Sequence, residues 1–223
     1  MPVATKQIND RGEETRQRLI DAALEIFGEY GFQGASTRML ADKAEANLAT
    51  IPYYFKNKAG LYCAAAQYIV DRIQKLTNPL FEKIDEAVKS EQLGRQEALQ
   101  LLHQYVDVFV GVLVGLKGAD SWASFMMREQ MHPGAAYEIL YQGLMRRTNE
   151  TCAHLLAAIL HEPADSAPIR IRANTIFGQI LIFRTSRIGV LRLCGWKDFS
   201  GEHLEMIQTV IRENVDRIVN GGI

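Results

Sequence analysis

The chain has 223 residues, of which 48% are hydrophobic and 23% charged, close to the average for globular proteins. This supplies enough apolar side chain for a core without disulfides or a structural metal, and it excludes disorder as the main state. The formal net charge is −1, from 25 basic and 26 acidic residues, so the whole-chain charge does not favour indiscriminate coating of nucleic acid. Selective binding of nucleic acid is compatible with this charge if positive side chains gather on one face.

The longest uncharged apolar run, 108–116, has nine residues, whereas a membrane-spanning helix needs about 20. The first 16 residues contain no apolar stretch that could serve as a signal peptide. Cys63, Cys152 and Cys194 are scattered, which predicts reduced thiols. We therefore expect a cytoplasmic protein that does not enter a membrane.

The apolar residues between 19 and 30 recur at helical spacing, which predicts one helix over about residues 11–30. Asp10 and Glu13 can form a capping box at its start. Gly31 stands where a helix commonly ends in the left-handed conformation.

Two short helices are predicted next, the first capped by Ser36 and the second capped by Asn47 and running from Leu48 onward. Asn57 caps a longer helix. Two short helices joined by a tight turn form a helix-turn-helix pattern. Its second helix can enter the DNA major groove, about 12 Å wide, while the first braces it. The inner faces are assigned to Leu40, Ala41, Ala44, Leu48 and Ile51.

The rest of the chain also has helical periodicity. Pro79 fits the first turn of a further helix, and Ser200 caps the last one. The predicted helical segments cover about 95–114, 119–131, 135–160, 168–194 and 202–219. We therefore predict an all-α protein, with an N-terminal three-helix helix-turn-helix DNA-binding domain and a larger C-terminal helical bundle, which could be a scaffold, a ligand chamber or a dimer interface.

The outer face of the short-helix segment is hydrogen-bonding or cationic. Residues 1–62 hold eight basic and eight acidic side chains, so a positive surface must come from their arrangement. Lys43, Lys56 and Lys58 flank the second short helix and suit phosphate contacts. The alternative, for any one of these lysines, is an ordinary solvated side chain.

Residues 16–62 resemble the DNA-binding domain of TetR-type transcriptional regulators. The matching features are the A-A-x-x-x-F-x-x-x-G run that ends at Gly31, Ser36-Thr37 before Leu40-Ala41, and Tyr53-x-Phe55-x-Asn57-Lys58 before Leu61-Tyr62. The segments 47–55 and 128–131 look most like the CecR branch of that family.

The resemblance implies a role for each matching position. Thr37 would donate to a phosphate, and Lys58 would bind phosphate at the head of the fourth helix. Tyr53 and Tyr54 would touch the DNA backbone and base methyls, while Phe55 points into the core. The complete set of candidate DNA-binding residues is Thr37, Arg38, Lys43, Asn47, Thr50, Tyr53, Tyr54, Lys56 and Lys58. The resemblance implies a DNA-binding domain at 1–58, with the helix-turn-helix at about 36–55, and a C-terminal helical domain for ligand binding and dimerisation at 59–223.

Two positions depart from the family pattern. Glu45 occupies the turn position where the family usually has Gly, and a left-handed backbone there would cost roughly 1–2 kcal/mol. Pro52 lies five residues after the Asn47 cap and would remove a helical hydrogen bond, at about 3 kcal/mol in a regular helix. We expect a kink or a restarted turn at Pro52.

Candidate ligand-binding residues lie in two segments of the C-terminal part. Aromatic and sulfur side chains share one helix with charges, as in a mostly apolar pocket with a few polar groups. The candidates are Trp122, Phe125, Met126, Arg128, Glu129 and His132, together with Phe183 and Arg187. Trp122 and Met126 are favoured for the pocket, and the alternative for each residue is ordinary core or rim. Arg184 and Arg187 lie in an apolar helix and are expected to extend outward, or else to meet a carboxylate or an anion.

The last two helical segments are predicted to form a homodimer interface, because the first of them is apolar nearly all round. No catalytic motif, metal-ligand spacing or cofactor fingerprint occurs in the sequence. The resemblance thus implies a repressor that binds a palindromic double-stranded DNA operator and is released by a small-molecule effector. The alternative is an all-helical binding or adaptor protein with only a structural N-terminal pattern.

Overall fold

The computed structural model describes residues 3–90, 93–116, 118 and 120–221, with side chains from residue 12 onward, and every regular element within them is helical. The all-α prediction is confirmed. The helices are α1 (Val3–Gly34), α2 (Thr37–Lys43), α3 (Thr50–Phe55), α4 (Lys58–Lys89), α5 (Arg95–Val110), α6 (Asp120–Met131), α7 (Tyr137–Leu140), α8 (Arg146–Leu160), α9 (Ala167–Thr185), α10 (Arg187–Cys194) and α11 (Glu202–Asn220). Single π-helical turns at Gly111–Gly115 and Tyr141–Met145 follow α5 and α7.

The chain forms two compact units, Met1–Arg72 with Ala119–Gly143 and Ile73–Gly118 with Leu144–Ile223. The predicted domain boundary, residue 58, coincides with the first residue of α4. The compact units divide further along this helix, after Arg72, and the first unit also includes α6 because α6 packs along α1. The functional domain boundaries therefore stay a prediction.

In the first unit, α1 begins at Val3, earlier than expected, since residues 3–10 contain neither Gly nor Pro. Its regular part ends at Gly31 with φ 72°, as predicted. The capping box expected at Asp10 and Glu13 was wrong, because both residues lie inside α1 rather than at its start. This helix packs against α2 and α6, and its apolar stripe is fully buried at Leu19, Ala23 and Phe27.

In the second unit, α5 packs against α8, α9 and α11 around a core that includes Leu102, Tyr105 and Val106. The segment Arg95–Gly115 is long and apolar enough to span a membrane by composition, with a mean hydropathy of 1.4. More than half of the 18-residue window with this mean hydropathy is buried within the unit, as expected for a core helix. The buried thiol of Cys152 on α8 has its pKa raised by burial to about 12.

The prediction of a separate helix that starts at Pro79 was wrong, because α4 continues through this residue to Lys89. A proline inside a helix costs about 3 kcal/mol. Here the flanking side chains of Leu80, Phe81 and Ile84 are buried in the second core, so their packing opposes that cost. The long segment predicted over 168–194 is instead interrupted at Ser186, between α9 and α10.

The turn after α2 is a Schellman motif. The Ala46 amide donates to the Ala41 carbonyl (3.0 Å), and the Glu45 amide donates to the Asp42 carbonyl (3.2 Å). Glu45 has φ 49°, so the left-handed backbone anticipated from the missing Gly is present. Ser36 caps α2 as predicted, with its Oγ accepting from the Met39 amide at 3.1 Å.

We predict that Glu45→Gly raises the free energy of unfolding by about 1 kcal/mol, because Gly adopts this backbone conformation without the Cβ clash. Urea denaturation at neutral pH measures the change. Glu45→Ala is the matched control, since it removes the carboxylate but retains the Cβ and should give no comparable gain. A similar gain in both variants would show that the carboxylate, rather than backbone strain, is responsible.

Candidate functional site

The segment 47–55 enters α3 through a turn rather than a cap. Asn47 Oδ1 accepts from the Ala49 amide at 2.9 Å, but the helix begins only at Thr50, two residues later than predicted. Pro52 therefore stands in the first turn of α3, where its missing N–H breaks no bond of the regular helix. The expected kink or restarted turn at Pro52 was wrong, because α3 runs from Thr50 through Pro52 to Phe55 and the turn lies earlier, at Leu48–Ala49.

The outer face of α3 is open to solvent, whereas its inner face is buried. Ile51 and Phe55 are buried, as predicted, while 80% of Tyr53 is exposed. Leu48 was assigned to the inner face, and this was wrong: it is 51% exposed. The reason is the late start of the helix, which places Leu48 in the preceding turn. Helical periodicity alone therefore did not predict that Leu48 is exposed next to α3.

The other predicted DNA-binding side chains near this face differ in their exposure and in their contacts. Thr37 opens α2 and is half-buried, and Tyr54 packs its ring edge-on to Tyr53 with 4.8 Å between ring centroids. The Arg38 guanidinium is exposed and lies 3.8 Å from the Asp42 carboxylate. Lys56 is exposed between α3 and α4. These positions remain candidates for contact with DNA.

Two of the predicted phosphate-binding lysines have partners inside the unit. The Lys43 ammonium lies 2.5 Å from the Glu25 carboxylate, and that contact raises the pKa of Lys43. Lys58 Nζ donates to the carbonyls of Phe32 and Ala35, each at 2.9 Å, and lies over the Phe32 ring. Lys58 thus helps to satisfy carbonyls at the end of α1, which leaves at most one of its three donors for phosphate.

A cavity of about 520 Å³ lies beside the carboxyl end of α1. This is within the size range of small-molecule sites. Three of the predicted ligand residues line it, Arg128, Glu129 and His132. The other lining residues are Tyr30, Gly31, Phe32, Gln33, Tyr62, Pro133, Gly134 and Ala135.

Arg128 joins α6 to the end of α1. Its Nε donates to the Gly28 carbonyl at 3.3 Å and its Nη2 donates to the Glu29 carbonyl at 2.7 Å. A Cβ at Gly31 would lie 3.1 Å from Arg128 Nη1, and Gly31 has a positive φ, so both the turn and this close approach favour glycine. The guanidinium therefore caps a helix terminus, where cations are favoured by the helix dipole.

Glu129 is only 2% exposed and is held by two hydrogen bonds. Its Oε1 accepts from the Tyr62 hydroxyl, and its Oε2 accepts from the Gly134 amide at 3.1 Å. Burial and then the hydrogen bond to Glu129 raise the pKa of Tyr62 above its ordinary value of 10. Tyr62 was missed by the sequence analysis because its partner lies 67 residues away in the chain.

The remaining candidate ligand residues are not in this cavity lining. Trp122 packs edge-on to Tyr68, with 6.1 Å between ring centroids, and Phe125 is buried with its ring centroid 4.9 Å from that of Tyr62. Met126 is half-buried. Their ligand roles stay predictions.

Phe183 and Arg187 belong to the second unit, where both contact Phe199. The Phe183 ring packs edge-on to it at 6.1 Å between centroids, and the Arg187 guanidinium lies 4.9 Å from the Phe199 ring centroid. The expectation that Arg184 extends outward was wrong. Arg184 is buried and donates to the carbonyls of Leu113 and Leu116, at the end of the π-helical turn.

We predict that Tyr62→Phe lowers the free energy of unfolding at pH 7 by about 1–3 kcal/mol, because it removes one of the two hydrogen bonds to a buried carboxylate. The folded-state pKa of Tyr62 is raised, so its contribution is complete below pH 10 and is lost as the pH rises above 10. The variant should therefore lose stability less steeply above pH 10. Urea denaturation from pH 7 to 11 measures both effects.

Tyr68→Phe is the matched control for that series, because the Tyr68 ring contacts Trp122 instead of Glu129. It should keep the wild-type slope above pH 10. Equal stability of Tyr62→Phe and wild type at pH 7 would contradict the proposed support of Glu129.

Two family models match the chain. Residues 19–65 match the model described as bacterial regulatory proteins, tetR family. Residues 98–222, more than half of the chain, match the C-terminal domain of the HTH-type transcriptional dual regulator CecR.

Individual proteins agree with these matches. The HTH-type transcriptional dual regulator CecR of Shigella flexneri is 31% identical over 211 residues, 95% of this chain and 94% of that protein. The nicotine-responsive transcriptional repressor HdnoR of Paenarthrobacter nicotinovorans is 31% identical over 101 residues, 45% of this chain and 46% of that protein.

Solved structures show the same fold at low sequence identity. A transcriptional regulator of Pseudomonas aeruginosa PAO1 has a TM-score of 0.62 at 16% identity, covering 92% of this chain and 90% of that one. FadR of Bacillus subtilis, solved with stearoyl-CoA, has a TM-score of 0.58 at 18% identity, covering 93% and 98%. The two family models and the CecR relative describe transcriptional regulators, which sets aside both the adaptor alternative and an enzyme. The chain belongs to the TetR family of DNA-binding transcriptional regulators, in its CecR-like branch.

Proposed function

We propose that the chain acts in the cytoplasm as a repressor, binds a palindromic operator as a homodimer and is released from it by a small-molecule effector. The observation that carries this proposal is the exposure of α3: Tyr53 is 80% exposed while Ile51 and Phe55 anchor the same helix in the core. An anchored helix with a free outer face suits insertion into the major groove.

The charge around α3 supports contact with the DNA backbone. Arg38 and Lys56 are exposed on either side of the segment 47–55, which we call the reading segment and whose helix α3 is the reading helix. Thr37 opens α2. Lysine and arginine contacts to phosphate release counterions, so operator affinity should fall as salt rises. In residues 1–62 the eight acidic side chains balance the eight basic ones, so we expect only a small number of contacts with phosphate.

An exposed apolar face supports the dimer. Ile188 and Leu193 on α10 are 83% and 89% exposed, and further large apolar side chains are exposed on both adjoining helices. The latter are Ile171, Ile182, Met206 and Val210. Large exposed apolar side chains on three consecutive helices exceed the scattered single ones of an ordinary surface and are typical of interaction sites. A two-fold pair formed through α9–α11 would present two reading helices to a palindrome.

The cavity beside α1 supports effector binding. Two of its lining side chains, Arg128 and Glu129, also fix the end of α1 and the Tyr62 hydroxyl. A ligand that competes for these groups favours a different arrangement of the unit that carries α3, in which the reading helices of the pair are wrongly spaced for the operator. A coupling free energy of about 3 kcal/mol would weaken operator binding roughly 150-fold.

The HdnoR relative is named a nicotine-responsive repressor, so a similar protein combines repression with a response to a small molecule. The CecR relative is named a dual regulator, so activation at some promoters is the second outcome to be tested. A promoter–reporter assay with and without the chain distinguishes the two: repression predicts a higher signal without the chain.

We predict that fluorescence anisotropy detects sequence-selective binding to DNA flanking the chain's own gene, with log affinity falling linearly with log salt. Lys56→Ala should weaken binding to specific and random duplexes alike and should reduce the salt slope by about 1. Tyr53→Ala should weaken operator binding selectively. Lys75→Ala, on α4 and outside the reading segment, is the charge-matched control. Equal binding of all duplexes by the wild type would contradict the proposed operator recognition.

We predict that Leu193→Asp converts the dimer into a monomer, because it places a charge in the proposed apolar interface. Sedimentation velocity measures the oligomeric state, and operator affinity should fall by about 100-fold or more as the two half-sites are no longer bound together. Met131→Asp, at a 67% exposed position on α6, is the control and should stay dimeric. A dimeric Leu193→Asp variant would place the interface elsewhere.

A further inference from the structure

Four of the five exposed residues of the reading segment have mainly apolar side chains. Leu48 is 51% exposed, Ala49 and Pro52 are exposed, and Tyr53 is 80% exposed; the fifth exposed residue is Asn47. Leu48 and Ala49 lie in the turn before α3, and Pro52 and Tyr53 lie on its exposed side. Leu48 and Ala49 were not among the predicted DNA-binding residues.

The polar side chains of the same segment are committed to local hydrogen bonds. Asn47 Oδ1 accepts from the Ala49 amide at 2.9 Å, and Thr50 Oγ1 donates to the Asn47 carbonyl at 2.5 Å. An asparagine that reads adenine needs both its carbonyl oxygen and its amide group. The bond to Ala49 leaves Oδ1 one lone pair and fixes the orientation of the Asn47 amide group, so Asn47 reads a base only where that base meets this fixed orientation.

Residues 47–54 also contain no arginine, lysine or glutamine. The side chains that form the commonest bidentate contacts with guanine are therefore missing from the segment that would face the bases. The direct readout left to Leu48 and Ala49 is apolar contact.

Thymine carries the one apolar group on the base edges of the major groove, its C5-methyl. We propose that Leu48 and Ala49, with the Tyr53 ring beside them, select thymine methyls, so that each operator half-site has A·T pairs beneath the Leu48–Ala49 turn. The proposal rests on the proposed operator binding and specifies which chemical group on the operator is read.

This mode of readout has a consequence that hydrogen-bond readout lacks. Uracil keeps every hydrogen-bonding group of thymine but lacks the methyl, so it should be a poor substitute. A 5-methylcytosine·guanine pair carries a C5-methyl at the equivalent position with a different hydrogen-bond pattern. Leu48, which cannot hydrogen-bond, should accept it better than unmodified cytosine.

The experiment begins with selection of the preferred duplex from random DNA by the full-length chain. Each thymine of the selected half-site is then replaced singly by uracil, and affinities are measured by fluorescence anisotropy. Loss of a methyl in contact with Leu48 or Ala49 should weaken binding by about fourfold, the value for one buried methylene-sized group. Replacement of that A·T pair by 5-methylcytosine·guanine should bind more tightly than replacement by cytosine·guanine.

The Leu48→Ala variant tests whether Leu48 is the side chain that contacts the thymine methyl. This variant should bind the selected duplex more weakly than the wild type and should bind the thymine and uracil forms about equally. Leu76→Ala, at a similarly exposed leucine on α4 (46%), is the matched control and should retain the wild-type preference. Comparing the four affinities isolates the contact between the side chain and the methyl.

The outcomes separate this proposal from the one on which it rests. Failure to select any preferred duplex would overturn the proposed operator binding. A preferred duplex whose single uracil substitutions leave affinity unchanged would overturn methyl readout while operator binding stands. A thymine preference that Leu48→Ala retains in full would overturn the assignment to Leu48.

Discussion

The carboxyl end of α1 is the point on which the first unit depends. A helix leaves its last four carbonyls without partners inside the helix. Here Arg128 from α6 donates to two carbonyls near that end, those of Gly28 and Glu29. Lys58 from α4 donates to the carbonyls of Phe32 and Ala35, which follow the turn at Gly31. Both cations also suit the negative end of the helix dipole. Two distant segments are thereby joined to the helix against which α2 packs.

This arrangement gives a different meaning to residues that look functional in the sequence. Arg128 is a ligand candidate and Lys58 a phosphate candidate, and both have a structural partner. The same holds for Glu129, which is buried against Tyr62 and Gly134. The cavity beside them shares these side chains, so effector binding and support of the reading unit draw on the same groups. This shared use is the physical basis of the proposed release from DNA.

The sequence predicted well what depends on neighbouring residues. The Ser36 cap, the positive φ of Gly31 and the left-handed strain at Glu45 are set by a few bonds of local backbone. The inward direction of Phe55 follows from helical period. Such features need no knowledge of distant segments, and each has a residue type that favours it strongly.

The errors arise where partners are distant or where a helix begins a few residues away from its apparent cap. Leu48 was placed inside because Asn47 looked like a helix cap, whereas the helix starts at Thr50. Pro79 looked like a helix start, but core packing carries α4 through it. Arg184 gives no sequence signal for the carbonyls of Leu113 and Leu116, about 70 residues earlier. At Pro79 and Arg184, tertiary packing overrides the local preference.

Amide hydrogen exchange of the wild type and an Arg128→Met variant tests most directly whether the end of α1 holds the reading helix in place. The account predicts faster exchange over residues 28–35 and also over 37–55 in the variant, with unchanged exchange over 98–110 in the second unit. Faster exchange confined to 28–35, with full protection retained over 37–55, would contradict it, because the reading helix would then be held without the Arg128 cap.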